Sequence, residues 1–262
     1  MAREARRESQ TGYYHVMIRG NNKEMVFSKA VDKQYFIEQL QQKKDEGLIS
    51  IAAYCLMDNH AHLLINSNLK FMSESFKWVN GKYAERYNFK YDRVGHVFQG
   101  RYRSEVINMD DHLLRVMRYI HNNPVKAKMV SNASKYFWSS YKCYIGYDDK
   151  LLSSNEKQMV MELFSGSMEQ FEKYHLQLVE ENYEFLELKQ VLELEREEKA
   201  HIIIERYCRQ YGINDMKELF GRKDILEDMI IDLIKKSKLS HRRIGELTNT
   251  SRGIVHNIAK KA

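Results

Sequence analysis

Six consecutive segments in the first half of the chain show either a strand-like or a helical pattern of apolar and polar residues. Apolar, β-branched or aromatic runs bounded by turn residues predict strands, and apolar residues three or four positions apart predict helices. The predicted strands are residues 13–19, 48–57, 60–66 and 102–107, and the predicted helices are residues 30–44 and 73–87. This β-α-β-β-α-β order predicts an α+β fold of the ferredoxin-like split βαβ type, an antiparallel sheet with both helices on one side. The other face of the sheet is then expected to be open for a site.

A further helix is predicted from Met109 to a point before Pro124, the only proline in the chain. A residue that precedes proline is pushed out of the helical region of backbone space. We therefore expect Asn123 at the exit of this helix, with its side-chain amide able to turn toward a partner.

The second half of the chain predicts helices only, and the sequence divides into three predicted domains, residues 12–146, 147–200 and 201–262. The middle segment is acidic and is interpreted as a solvated helical connector. The last two predicted helices pack Ile244 with Leu247 and Val255 with Ile258, on either side of a polar turn. This spacing is typical of a helix-turn-helix DNA-binding module, and a generic three-helix bundle would show it as well.

The charge of the chain is unevenly distributed. The net charge is +6 overall, but +9 over residues 1–146, −8 over residues 147–200 and +5 over residues 201–262. Basic segments favour a polyanionic partner such as DNA, because each neutralised phosphate releases a condensed counterion. A merely soluble basic surface would give the same charge.

The composition predicts a cytoplasmic protein that does not bind membranes. No apolar run approaches the roughly 20 residues that span a bilayer, and the first eleven residues are charged where a signal peptide would be apolar. Cys55, Cys143 and Cys208 occur singly, which predicts reduced packing residues rather than a disulfide framework or zinc site.

Two short stretches carry candidate chemistry. His60 and His62 are one residue apart in a predicted strand, so both side chains point to the same face and could share a divalent metal. They could equally be two polar residues on a half-solvated sheet. Tyr119 lies in the helix that precedes Pro124 and is a candidate nucleophile, although a lone tyrosine in an amphipathic helix is usually a core residue.

Four segments, in this order, resemble the single-tyrosine HUH transposases, and within them the REP-associated, IS200-like group. The resemblance covers about residues 12–145. The matching segments are Tyr14-His15-Val16 with Arg19-Gly20, Met57-Asp58-Asn59-His60-Ala61-His62-Leu63-Leu64, residues 95–104 and residues 118–127. Two positions depart from the family pattern: Asp58 replaces the usual proline, and the small Ala61 separates the histidines. Asp58 is expected to add a carboxylate near the metal and to make the turn less rigid.

The resemblance implies a reaction. Tyr119 would attack a phosphodiester in hairpin-bearing single-stranded DNA and form a 5′-phosphotyrosine, while His60, His62 and Asn123 would hold Mg²⁺ or Mn²⁺. The chain would act as a monomer or a homodimer. A domesticated, catalytically silent DNA-binding regulator and a water-using metal phosphodiesterase remain the alternatives.

Further DNA contacts are expected from basic residues. Arginines beside an open sheet face could bind backbone phosphate or could be merely solubilising. In the C-terminal module, some basic residues would contact phosphates of a duplex and others base edges. The candidates are Arg19, Arg101 and Arg103 in the first domain, Arg242, Arg243 and Lys260 for duplex phosphate, and Arg252 and His256 for base edges.

Overall fold

A computed structural model of the chain describes residues 6–177, 186–213, 218 and 221–261. The chain forms two compact units, Met1–Leu186 and Glu187–Ala262. Within the described ranges, no helix is both long and apolar enough to cross a membrane.

One four-stranded antiparallel sheet, in the order β2-β3-β1-β4, organises the first unit. β2 and β3 form a hairpin, in which the Met57 amide donates to the His60 carbonyl. The order and positions of the strands confirm the predicted ferredoxin-like sheet. The strands are β1 (Tyr13–Arg19), β2 (Ser50–Leu56), β3 (His60–Asn66) and β4 (Arg103–Ile107).

Two helices, α1 (Ala30–Asp45) and α2 (Leu69–Lys90), form the main core with one face of the sheet. Strand side chains alternate between faces, so every second residue of β1 enters this core. α2 begins four residues earlier than predicted because Asn68 caps it, accepting a hydrogen bond from the Phe71 amide. The β1 core residues are Tyr14, Val16 and Ile18.

The other face of the sheet is covered by α3 (Asp110–Lys126), so the prediction of an open face is wrong. α3 is strongly amphipathic, and its apolar side, which includes Val116, Met117 and Ile120, is buried. An apolar helix face of this kind is stable only against another apolar surface, and α3 packs against β2 and β3.

α3 also continues through Pro124, and the prediction that it ends before this residue is wrong. Proline removes one donor from the helix, here the bond to the Ile120 carbonyl. Because Pro124 lies two residues from the helix end, the loss is confined to the last turn. Asn123 is therefore a helical residue, and its carbonyl accepts from the Ala127 amide.

Residues 127–177 return along β2 and pack against the first part of this unit. Ser139 forms a bridge with Cys55 of β2, and Phe171 is fully buried. Residues 154–176 were predicted to belong to a solvated connector, but their aromatic residues pack against α3 and the preceding segment. The helices here are α4 (Tyr141–Tyr144), α5 (Ser154–Leu163) and α6 (Met168–Leu176).

The described part of the second unit is helical, as predicted. Its core includes Ala200, Ile203 and Ile204, so the domain boundary predicted after residue 200 lies inside a helix that belongs to this unit. Part of the predicted connector, residues 178–185, lies outside the described residues. The helices are α7 (Leu186–Gln210), α8 (Lys223–Asp232) followed by a π-helical turn (Leu233–Ser237), α9 (His241–Leu247) and α10 (Arg252–Lys261).

The last two helices meet at a tight turn. Ile244, Val255 and Ile258 are buried as predicted, whereas Leu247 is partly exposed. A Cβ atom on Gly245 would lie 2.8 Å from the Thr250 carbonyl oxygen, so only glycine allows the turn to approach α9 this closely.

Candidate active site

Two histidines on β3 form the centre of the site. His60 and His62 occupy alternate positions of the strand, and their ring centroids are 4.9 Å apart. The His60 Nδ1 donates to Asn59 Oδ1 over 2.6 Å, and the His62 Nδ1 lies 3.0 Å from Nε2 of His15. Both histidines are buried, so they are not two polar residues on a half-solvated sheet.

The turn that precedes His60 is held by close backbone contacts and an ion pair. The Gly20 amide donates to the Asn59 carbonyl, and a Cβ on Gly20 would lie 2.3 Å from the Glu24 carbonyl oxygen. Asp58 accepts from the buried Lys33 Nζ at 2.8 Å. The carboxylate predicted to lie near a metal is therefore bound to an ammonium group, and this ion pair restrains a turn that was predicted to be less rigid without proline.

α3 brings Tyr119 to the histidines. The Tyr119 ring centroid lies 5.4 Å from that of His62 and 6.1 Å from that of His15, edge-on in both cases. The Lys126 Nζ lies 5.7 Å from the centre of the Tyr119 ring. Tyr119 is only 3% exposed in this arrangement.

Asn123 lies one helical turn after Tyr119, on the same side of α3. It is 5% exposed, and its Nδ2 has no hydrogen-bond partner among the described residues. Its amide oxygen could serve as a ligand, whereas Nδ2 is a donor and could not bind a cation.

The residues present suit a divalent ion. His60 uses Nδ1 for a hydrogen bond, which leaves Nε2 as its nitrogen with a lone pair, and the same division is available to His62. Asn123 could add an amide oxygen, and such a mixed nitrogen and oxygen donor set suits Mn²⁺ as well as Mg²⁺. In the ranges that the structure describes, no group of three or more His, Cys, Asp or Glu side chains is arranged to hold a metal.

Two of the three predicted DNA-binding arginines share a sheet face with the histidines. Arg19 of β1 pairs with His60 of β3. Arg103 of β4 pairs with Met17 of β1, and Met17 lies two residues before Arg19 on the same face. Residues paired in this way point to the same face. Arg101 is exposed in the loop before β4.

In the second unit, the predicted phosphate contacts on α9 are engaged within the protein. Arg243 binds Glu197 through two parallel hydrogen bonds of 2.6 and 3.0 Å and also binds Glu246 at 3.0 Å. Arg242 donates to Glu246 at 3.3 Å. Arg243 therefore has a structural role in this unit that the sequence did not reveal.

The predicted contacts on α10 are exposed. Arg252, His256 and Lys260 all face solvent on a helix whose opposite side is buried. The His256 ring lies 5.6 Å from that of His241 at the start of α9.

Two residues beside the site were not predicted from the sequence. His15 belongs to a matching motif that assigns it no role, and Glu105 belongs to no predicted site. Both face the histidine side of the sheet, since His15 pairs with Glu105 across β1 and β4. The two-residue alternation of His15, Met17 and Arg19 indicates that these residues share one face of β1. To place that face beside His62 and Glu105, one must also know that β3 and β4 are the neighbours of β1.

Comparisons with known proteins give a family match and a structural match. Residues 8–123 match the model of a family described as "Transposase IS200 like". Among solved structures, the chain resembles one described as "Structure of the REP associates tyrosine transposase bound to a REP hairpin". The two chains are 15% identical, the match covers 59% of this chain and 92% of the other, and the TM-score is 0.47. A comparison with curated proteins found no match.

The family match spans β1 to α3 and includes the histidine pair, Tyr119 and Asn123. Through residues 8–123, the chain is similar to the IS200-like transposase family.

Proposed function

We propose that this protein is a transposase of the IS200-like family, a metal-dependent, single-stranded DNA endonuclease and strand transferase with Tyr119 as its nucleophile. The observation that supports the proposal is the 5.4 Å separation of the Tyr119 and His62 rings, with His60 directly beside them. A hairpin-bearing single strand is the proposed substrate.

The proposed reaction is a reversible transesterification. The phenolic oxygen of Tyr119 forms a bond to phosphorus, and the bond from phosphorus to the 3′ oxygen breaks. The phenol loses its proton and the departing 3′ oxygen gains one, so the products are a 5′-phosphotyrosine and a 3′-hydroxyl. Phenols have a pKa of about 10 and are better leaving groups than alkoxides, which suits an intermediate that must later rejoin DNA.

Charge accumulates on the phosphate during this step. A divalent ion held by His60, His62 and Asn123 would act as a Lewis acid and a template there. Arg19 and Arg103 lie on the same sheet face and would bind the flanking phosphates.

An SDS-resistant protein–DNA adduct tests the nucleophile. Full-length protein, Mn²⁺ and labelled single-stranded hairpins should give the adduct, and Tyr119→Phe should abolish it while hairpin binding persists, because only the attacking oxygen is removed. Tyr141→Phe is a matched control, since Tyr141 is also 3% exposed and also contacts a histidine ring. Cleavage by Tyr119→Phe would favour a water-using phosphodiesterase.

His60→Ala tests the metal ligands separately. We expect this variant to bind hairpin DNA but to lose Mn²⁺-dependent adduct formation, because one of two imidazole ligands is missing. Absence of an adduct from the unmodified protein, together with hairpin binding, would instead indicate the domesticated regulator.

A further inference from the structure

Three side chains on neighbouring strands, Glu105, His15 and His62, lie in a row that ends at His62. Nε2 of His15 on β1 lies 3.0 Å from Nδ1 of His62 on β3, and Nδ1 of His15 lies 3.9 Å from a carboxylate oxygen of Glu105 on β4. His15 and His62 are fully buried, and the Glu105 side chain is 16% exposed.

The carboxylate of Glu105 lies 3.9 Å from Nδ1 of His15, beyond hydrogen-bond distance, and its negative charge favours one direction of the protons along this chain. A neutral imidazole carries one proton, so one nitrogen donates and the other accepts. With its proton on Nδ1, His15 directs a positive N–H toward the charge of Glu105 and an acceptor at Nε2 toward His62, which then donates from its own Nδ1. The opposite arrangement would turn a lone pair of His15 toward a negative charge and would leave the proton of His62 on Nε2, where it would block metal binding.

The geometry points to His15, whose Nδ1 faces the carboxylate of Glu105, as a positioning residue that fixes the tautomer and ring orientation of His62. The inference rests on the proposed function, since it concerns the ligand that His62 presents to a divalent ion. Hydrogen-bonded partners of this kind orient metal-binding histidines, and their removal typically lowers metal affinity about 10- to 100-fold.

The two proposed histidine ligands are oriented differently. His60 is held by its sequence neighbour Asn59, so its orientation depends on the turn before β3. His62 is held by His15 of β1, which in turn faces the carboxylate of Glu105 on the edge strand β4. The β4–β1–β3 register is therefore part of the site, although neither β1 nor β4 supplies a proposed ligand.

A second buried histidine pair supplies a control. His121 and His175 are hydrogen-bonded at 2.9 Å in the same unit, but their chain ends at a backbone carbonyl and at Ser140. This chain includes neither a carboxylate nor a proposed ligand. A substitution of His175 thus disturbs a buried histidine pair without touching the chain that ends at His62.

The test is Mn²⁺ binding to the full-length protein at fixed pH, measured by isothermal titration calorimetry. His15→Leu should weaken Mn²⁺ binding about 10- to 100-fold. His15→Gln, which can return an acceptor oxygen to the position of Nε2, should recover most of the affinity. Glu105→Gln should give an intermediate decrease, and His175→Gln should leave Mn²⁺ affinity unchanged.

Adduct formation gives a second readout. For His15→Leu and Glu105→Gln, the Mn²⁺ concentration that gives half-maximal adduct formation should rise. The amount of adduct formed at saturating Mn²⁺ should be largely retained. If His15→Leu fails to fold, His15→Gln and Glu105→Gln carry the comparison. Unchanged Mn²⁺ affinity in Glu105→Gln and equal decreases in His15→Leu and His15→Gln would overturn the inference.

The proposed function fails in a different way. If the unmodified protein binds no Mn²⁺, or if His60→Ala binds it equally well, the proposed metal ligands are wrong. The proposed role of His15 is then wrong as well. Normal binding by the unmodified protein, weaker binding by His60→Ala and no change in His15→Leu would overturn only the inference.

Discussion

Lys33 and Asp58 form an asymmetric ion pair beside the histidine turn. The Lys33 side chain is 5% exposed and also donates to the Tyr136 hydroxyl at 3.2 Å, whereas the Asp58 side chain is 37% exposed. Removing one partner of a pair leaves the other charge where it was, and the cost depends on how well water can reach it. The two residues should therefore differ in their effect on stability.

Asp58→Asn should destabilise the protein by about 1–3 kcal/mol, because a buried ammonium group is left without its carboxylate. Lys33→Met keeps the aliphatic stem and should cost less, because water can still solvate the remaining carboxylate. Urea denaturation of the two variants at neutral pH measures the difference. A larger destabilisation by Lys33→Met would show that the aliphatic packing or the bond to Tyr136 matters more than the charge.

At the scale of single residues, the positions of the candidate site residues on their strand and helix could be predicted from the sequence, whereas the side chains that contact them could not. The alternation of His60 and His62 on a strand and the one-turn separation of Tyr119 and Asn123 are local properties, so spacing alone predicts them. The partners His15 and Glu105 could not be predicted, because they depend on the register between three strands. Asp58 was misjudged for a similar reason, since Lys33 is 25 residues away along the chain.

At the scale of elements, α3 is held between the sheet and α6 by a buried hydrogen-bonded chain. His175 Nδ1 donates to the Phe171 carbonyl at 2.9 Å, so its Nε2 accepts from His121 Nδ1. His121 Nε2 then accepts from the Ser140 hydroxyl at 2.9 Å. Each histidine is thereby neutral, and the chain contacts α3 two residues after Tyr119.

Burial lowers the pKa of both histidines. Desolvation is the main cause for each; the pKa of His175 falls from 6.5 to about 4, with a further contribution from the positive charge of Arg118. In the unfolded chain both would titrate near 6.5. Between pH 6.5 and about pH 4, the folded state therefore binds fewer protons than the unfolded state. The free energy of unfolding then falls as the pH falls.

Stability should be nearly constant above pH 6.5 and should decrease as the pH falls toward 4, by roughly 3 kcal/mol for His175 alone. Urea denaturation at steps between pH 7 and pH 5, above the range of most carboxylates, measures the slope. His175→Gln should be less stable at pH 7 but should show a flatter pH dependence. An equally steep dependence in that variant would assign the effect to other groups.

The elements themselves were largely predictable, because periodicity and turn residues are local signals. β1 and β3 have the predicted bounds, and α1 and α2 differ only at their ends. The role of α6 could not be predicted, since acidic composition suggested exposure while Phe171 and His175 are buried through contacts with residues 27 to 54 positions earlier. The end of α3 was predicted wrongly at Pro124 for a similar reason. The packing of α3 against the sheet is not visible in the local sequence, and it outweighs the loss of one helical hydrogen bond.

At the scale of the whole molecule, the +9, −8 and +5 charge segments do not coincide with the folded units. The acidic segment is divided between them: residues 154–176 pack into the first unit, and Glu197 in the second unit holds Arg243. A cut after residue 200 would remove most of the core of the second unit and leave part of α7 behind. A chain that ends at residue 186 respects the boundary between the two units.

Removal of residues 187–262 should leave cleavage of short single-stranded oligonucleotides intact, because every proposed catalytic residue lies in the first unit. Binding to substrates that carry a duplex should weaken, since Arg252, His256 and Lys260 are exposed on α10 and available to DNA.

Because Arg243 is engaged by Glu197, we expect this unit to neutralise few phosphates. The salt dependence of duplex binding should then be modest, since each neutralised phosphate adds only about 0.9 to the slope of log affinity against log salt. Mobility shifts of the full chain and of residues 1–186 at two or more salt concentrations measure both quantities, and equal affinity for a duplex-bearing substrate would mean that the second unit binds protein instead of DNA.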